Sequence, residues 1–166
     1  MNLETQRLRF RKLNETDLEN LFRLHSNPEV MKFIRPPDEH MAQTQLRLEQ
    51  NLDIYEKHPG YGVFPLNLKS DDTFIGWGVI VHVDELKEVE IGYRFFPEHW
   101  GKGYATETAA ALRDYGFETL KLKRIIGLTH RGNLASQRVL EKTGLLFEKE
   151  LVYHNTDAFL FGMERK

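Results

Sequence analysis

Trp100-Gly101-Lys102-Gly103-Tyr104-Ala105 joins a strand-like run, Val89-Glu90-Ile91-Gly92-Tyr93-Arg94-Phe95-Phe96, to a helix-like run, Thr106-Glu107-Thr108-Ala109-Ala110-Ala111-Leu112. Glycines remove the Cβ atoms that would block an anion. The first amides of a helix lack intrahelical acceptors and point their N–H groups outward with the positive end of the helix dipole behind them. The turn therefore reads as a phosphate cradle. By itself it also fits a plain strand-to-helix connection with an exposed Lys102.

The chain has 166 residues, of which 40% are hydrophobic, enough for one domain over residues 1–166 with a core that needs no disulfide or metal. Its 23 basic and 25 acidic residues are intermixed and leave a formal charge of -2, so there is no sequence-wide basic field of the kind that nonspecific nucleic-acid binding requires. Cysteine is absent, which excludes disulfides, thiolate nucleophiles and Cys-ligated zinc. The seven histidines show no metal-ligand spacing, and no metal is expected. Met1-Asn2-Leu3-Glu4-Thr5 does not open a basic segment followed by an apolar core, and no run approaches a membrane span. A cytoplasmic protein, free of nucleic acid and membrane, is expected.

Arg7-Leu8-Arg9-Phe10-Arg11 alternates with the period of a half-buried strand. Asn14 or Thr16 can cap a helix through Leu24 that ends near His25, where Asn27-Pro28 interrupts it, and a second amphipathic helix fits Glu39 to Lys57 before His58-Pro59-Gly60. Tyr61 to Leu68, Phe74 to Val83 and Val89 to Phe96 then form an antiparallel meander. After the glycine turn the pattern predicts a helix to about Leu120, a strand from Arg124 to Thr129, a helix from Leu134 to Lys142 and strands at Leu146 to Tyr153 and Ala158 to Arg165. The order is that of an α+β sheet with a helical crossover between its fourth and fifth strands.

These blocks, together with Leu3-Glu4-Thr5-Gln6-Arg7-Leu8-Arg9-Phe10-Arg11, Asn27-Pro28-Glu29-Val30 and Asn133-Leu134-Ala135-Ser136-Gln137-Arg138-Val139-Leu140-Glu141-Lys142-Thr143-Gly144, make the chain resemble the GNAT acetyltransferase superfamily, and within it the RimJ/RimL-like branch that acetylates N-termini of ribosomal proteins. The resemblance implies the acyl-CoA N-acyltransferase fold, a mixed, mostly antiparallel sheet of about seven strands flanked by four helices. It also implies acetyl-CoA as cosubstrate and transfer to an amine. In the acetyl-CoA signature Trp100 takes a position where the superfamily usually has Gln or Arg, as is usual in this branch, and Gly103 and Ala105 hold the later positions.

By the same resemblance Gly101, Lys102, Gly103, Tyr104, Ala105 and Thr106 hold the pyrophosphate. Tyr93, Arg94, Phe95 and Phe96 lie along the pantetheine, beyond a bulge that frees backbone groups for it and for the thioester oxygen. Asn133 hydrogen-bonds the cofactor arm, and Ser136 sits near the sulfur as the acid. Asn133 and Ser136, three apart at a helix start, also suit an ordinary N-cap. A base must deprotonate the amine. Glu90 leads, with an ordinary structural carboxylate as its alternative and His82 and His130 behind it. Without Cys, and with no partner in sequence to activate Ser136, direct transfer is expected rather than a covalent enzyme intermediate.

The acceptor side is expected to draw on the first two helices and the last two strands, with Phe33, Tyr55, Tyr61, Trp77, Tyr153 and His154 as candidates. The acceptor is an N-terminal α-amine on the resemblance, with a polyamine, an amino acid or an aminoglycoside as small-molecule alternatives. A noncatalytic acyl-CoA-binding module is the rival from another class. A dinucleotide-binding domain fits less well, because the glycine turn follows several strands and lacks the full Gly-x-Gly-x-x-Gly. The protein is expected to act as a monomer or homodimer.

Overall fold

The computed structural model describes residues 3–165; Met1 and Asn2, the start of the segment read as no leader, lie outside them, as does Lys166. Among the described residues eight strands build one sheet in the order β1-β2-β3-β4-β5-β6-β8-β7, packed against five α-helices. The strands are β1 (Leu3–Glu4), β2 (Leu8–Phe10), β3 (Gly62–Leu68), β4 (Phe74–Val83), β5 (Glu88–Phe95), β6 (Arg124–His130), β7 (Leu146–Tyr153) and β8 (Thr156–Glu164). The helices are α1 (Leu18–His25), α2 (Pro28–Met31), α3 (Met41–Lys57), α4 (Tyr104–Glu118) and α5 (Leu134–Lys142). All neighbours are antiparallel except β5 and β6, which the α4 crossover makes parallel.

Two differences from the sequence expectation have simple causes. The sheet gains β1, two residues too short to show any alternation, paired to β2 through Leu3 with Phe10 and Glu4 with Arg9. The helix count rises to five because Asn27-Pro28 starts a helix as well as stopping one: the Asn27 carboxamide accepts from the amides of Glu29 (2.9 Å) and Val30 (3.4 Å), and proline at the first helical position loses no bond. The closing hairpin turns on His154 (φ 48°) and Asn155 (φ 59°), the two left-handed residues that a two-residue turn between right-twisted strands requires.

Strand alternation divides the sheet into two faces. One carries Phe64, Leu66, Ile80, Ile91 and Phe95 against Ala109 and Leu112 of α4, with Leu140 of α5 joining the same core. Each large apolar side chain buried there contributes about 1.5–3 kcal/mol. The other face carries α1, α2 and α3 over two smaller clusters, Leu24, Val30, Met31 and Phe96, and Leu13, Leu21 and Leu48. Odd-numbered residues of β5 thus look toward α4 and even-numbered ones toward α1 and α3.

At Gly76 a Cβ would stand 2.0 Å from the carbonyl oxygen of Arg94 on β5, a backbone atom that cannot swing aside. Gly76→Ala is expected to cost about 3 kcal/mol or more, the range of a forced backbone shift. Thermal unfolding should then fall by roughly 6–12 °C. An unchanged melting temperature would show that the β4–β5 pairing tolerates movement at this point.

Candidate active site

The glycine turn is built to present backbone. Trp100, whose indole Nε1 donates to the Phe95 carbonyl at 2.9 Å, ties the turn to the end of β5. Gly101 (φ 72°) and Gly103 (φ 82°) then take left-handed conformations, and α4 begins at Tyr104 with no side chain capping it. Its first backbone bond runs from Glu107 N–H to Gly103 O at 3.0 Å, so the amides of Tyr104, Ala105 and Thr106 precede any intrahelical acceptor. Together with the helix dipole they can hold an anion such as a pyrophosphate. Lys102 is exposed beside them. A separate furrow of about 640 Å³ between β1 and α4, lined by Leu3, Thr5, Ala111 and Tyr115, contains none of the predicted site residues.

A carboxylate in the first turn of such a helix opposes an anionic ligand, and Glu107 is one. Its oxygens are held by Thr5 Oγ1 (2.5 Å), the Arg7 amide (2.9 Å) and Arg7 Nε (2.7 Å), while Arg7 Nη1 donates to the Lys102 carbonyl at 2.9 Å. Burial pushes the Glu107 carboxyl up, but the Thr5 and Arg7 hydrogen bonds outweigh it and hold it below the usual carboxylate range. The Arg7 guanidinium also lies on the Tyr104 ring, 4.4 Å from its centroid. One arginine thus neutralises the carboxylate and clamps the turn. Sequence reasoning took Arg7 only as part of an alternating strand; the available signal was an acidic residue four places after Gly103, which demands a nearby cation.

Beside the turn, β5 and β6 part. They share a single bridge, Glu90 with Ile126, whereas β5 stays in unbroken register with β4 from Gly76 with Phe95 to Val83 with Glu88. The expected bulge is therefore not what opens the strand; divergence from β6 does it. The Phe96 amide bonds Ile75 O at 3.1 Å, which makes Phe96 and Ile75 a hydrogen-bonded pair. Antiparallel pairs alternate, so Arg94 is paired to Trp77 in the same way, and the backbones of Tyr93 and Phe95 face the gap. Of the four residues expected along the pantetheine, Tyr93 and Phe95 have backbone groups directed to the gap, the Phe95 carbonyl being the one that accepts from the Trp100 indole. Arg94 and Phe96 do not: the Phe96 carbonyl also accepts from His99, and its ring is buried among Leu24, Val30 and Met31.

Side chains at the split lie on opposite faces. On the α4 side the Asn133 Oδ1 caps α5 by accepting from the Ser136 amide at 3.1 Å, and the Ser136 Oγ is 3.1 Å from the Tyr93 hydroxyl, which also donates to the Ser136 carbonyl at 3.3 Å. Burial pushes the Tyr93 phenol up to about 12, so it keeps its proton. The pairing of Ser136 with Tyr93 was not read from the sequence, where Tyr93 entered as a backbone contact.

Glu90 projects from the other face. Burial raises its carboxyl to about 7, and the nearby Leu128 amide limits the rise. The nearby negative charge of Glu90 adds to burial in raising the Tyr153 phenol. Phe33 and His130 stack at 5.1 Å, and the His130 Nδ1 accepts from the Gly132 amide at 2.9 Å, which gives this histidine a turn-holding role. Tyr153 and His154 occupy the tip of the closing hairpin. Three candidates go elsewhere. His82 and Tyr61 stack on each other at 4.4 Å, with His82 sharing the parity of Ile80 on the α4 side, and the Tyr55 hydroxyl ties the Leu13 amide to the Val63 carbonyl.

Residues 7–146 match the family model for the acetyltransferase (GNAT) domain. The uncharacterized N-acetyltransferase YoaA of Bacillus subtilis (strain 168) is 32% identical over 89% of this chain and 83% of its own length. A spermidine N(1)-acetyltransferase of Escherichia coli (strain K12) is 25% identical over 95% of this chain and 81% of its own length. The solved structure of RimL, a ribosomal alpha-N-protein acetyltransferase in complex with coenzyme A, superimposes with a TM-score of 0.80 at 16% identity, covering 96% of this chain and 95% of that one, and shares the fold. The uncapped glycine turn, the split strands and these matches agree: the chain belongs to the GNAT family of acetyl-CoA-dependent N-acetyltransferases.

Proposed function

We propose that acetyl-CoA threads the β5/β6 gap and is attacked by an N-terminal α-amine arriving from the α1/α3 face. The observation that carries this reading is the opposite placement of two groups at one split: the Tyr93/Ser136 hydroxyl pair toward α4, and Glu90, with a carboxyl near neutrality, toward α1 and α3. The pyrophosphate takes the amides of the Gly101 to Thr106 turn, with Lys102 adding charge. Tyr93 and Phe95 backbone groups pair with the pantetheine, and Asn133 serves the same arm.

The chemistry follows from the faces. Glu90 takes the proton that leaves the amine, directly or through water, and a base with a pKa near the working pH is the most effective one. The new C–N bond forms at the thioester carbonyl, whose oxygen becomes an oxyanion stabilised by the gap-facing Tyr93 amide. Collapse breaks the C–S bond, and the Ser136 hydroxyl protonates the leaving thiolate while Tyr93 donates to Ser136. Positioning and the oxyanion contact supply most of the rate gain. The competing acceptor is a polyamine, the substrate class named for the Escherichia coli relative. A cytoplasmic setting would give access to both substrates.

Thiol release from acetyl-CoA with a panel of peptides and polyamines tests the assignment. Coenzyme A binding with no acceptor turned over would favour a noncatalytic module. Glu90→Gln is expected to lower kcat by roughly 10²–10⁴-fold and to remove a rise in log kcat centred near pH 7. The effect on stability runs the other way: the folded carboxyl holds its proton above its ordinary value of 4.5, so its contribution is full below that pH and is lost as pH rises through about 7. The melting temperature of Glu90→Gln minus that of wild type should therefore be more positive at pH 8 than at pH 5. A kcat profile unchanged by the substitution would exclude Glu90 as base.

Arg7→Ala should weaken coenzyme A binding by about tenfold, the scale of one unfavourable charge at a helix start. Arg7→Ala with Glu107→Gln should recover most of that loss, since no carboxylate is then left unpaired beside the phosphates. Equal losses in the single and double variants would mean that Arg7 acts by contacting the cofactor itself.

A further inference from the structure

On the acceptor face, positive charge outnumbers negative. Asp38, almost fully buried, receives Arg35 Nη1 at 2.6 Å and Thr44 Oγ1 at 2.7 Å, with Arg47 Nη2 at 3.5 Å. His25, buried next to it with Nδ1 3.8 Å from Asp38 Oδ2, accepts the Trp77 indole N–H on its Nε2 at 3.3 Å. Burial and the charge of Arg94 lower the His25 pKa to about 3, which leaves it neutral. Trp77 in turn carries the Arg94 guanidinium on its ring, 4.5 Å from the centroid. The ion pairs of Asp38 go to Arg35 and Arg47, not to Arg94. Two of the three guanidinium groups thus take the one carboxylate.

Arg94 is the one of the three without an ion-pair partner among the described residues. Its Nε is buried with no hydrogen-bond acceptor among the described residues. Burial, with repulsion from Arg35, lowers its pKa to about 9, and at neutral pH it remains a cation. A buried charge without a counter-ion is costly, and its stacking on Trp77 offsets only part of that. The side chain shares the parity of Glu90 on β5, four residues away, so the two Cα atoms are about 13 Å apart on one face at strand spacing.

We propose that Arg94 is a specificity residue that receives a carboxylate of the acceptor, so that the preferred substrate is a peptide with Asp or Glu at its second or third position. An extended peptide rises about 3.3–3.6 Å per residue, and with both side chains reaching inward such a carboxylate meets Arg94 while the α-amine stands at Glu90. Guanidinium pairs with carboxylate by two parallel hydrogen bonds, which a polycation cannot supply. This deepens the peptide-amine reading and rests on it for the delivery of the amine, but not for the binding of the carboxylate.

Two measurements separate those layers. In the first, kcat/KM is compared for tetrapeptides that differ only by Glu, Gln or Lys at positions two and three, with spermidine alongside. Wild type should prefer Glu over Gln by about tenfold or more, chiefly in KM, and Lys should be poorest. Arg94→Gln should bring the Glu to Gln ratio to near one, with coenzyme A affinity confirming that the variant folds. A ratio near one in wild type, a ratio that survives Arg94→Gln, or preference for spermidine would overturn the proposal. A loss confined to coenzyme A affinity would assign Arg94 to the cofactor instead.

In the second, an N-acetylated Ala-Glu-Glu-Ala peptide, which cannot be acetylated again, is titrated while tryptophan fluorescence is followed. Saturable change in wild type, lost in Arg94→Gln and absent with the Gln analogue, supports the carboxylate site even if no peptide is turned over. No binding by wild type contradicts it.

Discussion

Everything at the site depends on the point where β5 loses β6. The two strands meet as parallel neighbours at one bridge, Glu90 with Ile126, and beyond it β5 continues with β4 alone. Unpaired backbone inside a protein is costly, so a strand whose inner edge lacks a partner invites one of the same kind. On the proposed reading the pantetheine arm of acetyl-CoA, extended and carrying amides, is that partner. Because hydrogen-bonded pairs alternate, the same register that commits Arg94 and Phe96 to β4 turns Tyr93 and Phe95 to the gap.

The split also separates chemical duties. A strand sends successive side chains to opposite faces, so residues three apart, such as Glu90 and Tyr93, lie on different sides of the sheet. On the proposed reading one side receives the leaving group, where the Tyr93 and Ser136 hydroxyls lie within hydrogen-bond reach of each other. The other would receive the nucleophile, where burial raises the Glu90 carboxyl to about 7. The glycine turn at the end of β5 would fix the far end of the cofactor, and its clamp, Arg7 on Glu107, reaches it from the opposite end of the chain.

Features set by neighbours along the chain were legible. Asn133 and Gly144 bracket α5 at the expected bounds, and the β7 strand and the glycine turn followed the same local logic. Features set by distant residues were not. The Arg7 contact with Glu107 spans 100 positions, and the Tyr93 contact with Ser136 spans 43. Parity along β5 needs the register with β4, so the sequence could not tell that Phe96 is packing and Tyr93 is open backbone. The arginine cluster around Asp38 gathers residues from α1, the segment after α2, α3, β4 and β5, and each alone reads as an ordinary surface or core residue.

Amide hydrogen exchange at single residues, measured by NMR with and without coenzyme A, tests the gap most directly. If the cofactor takes the open edge of β5, the Tyr93 and Phe95 amides should slow by about a hundredfold or more on binding, while the Arg94 amide, already paired to β4, changes far less. Equal protection at all three, or protection of Arg94 with Tyr93 unchanged, would contradict the placement of the cofactor along that edge.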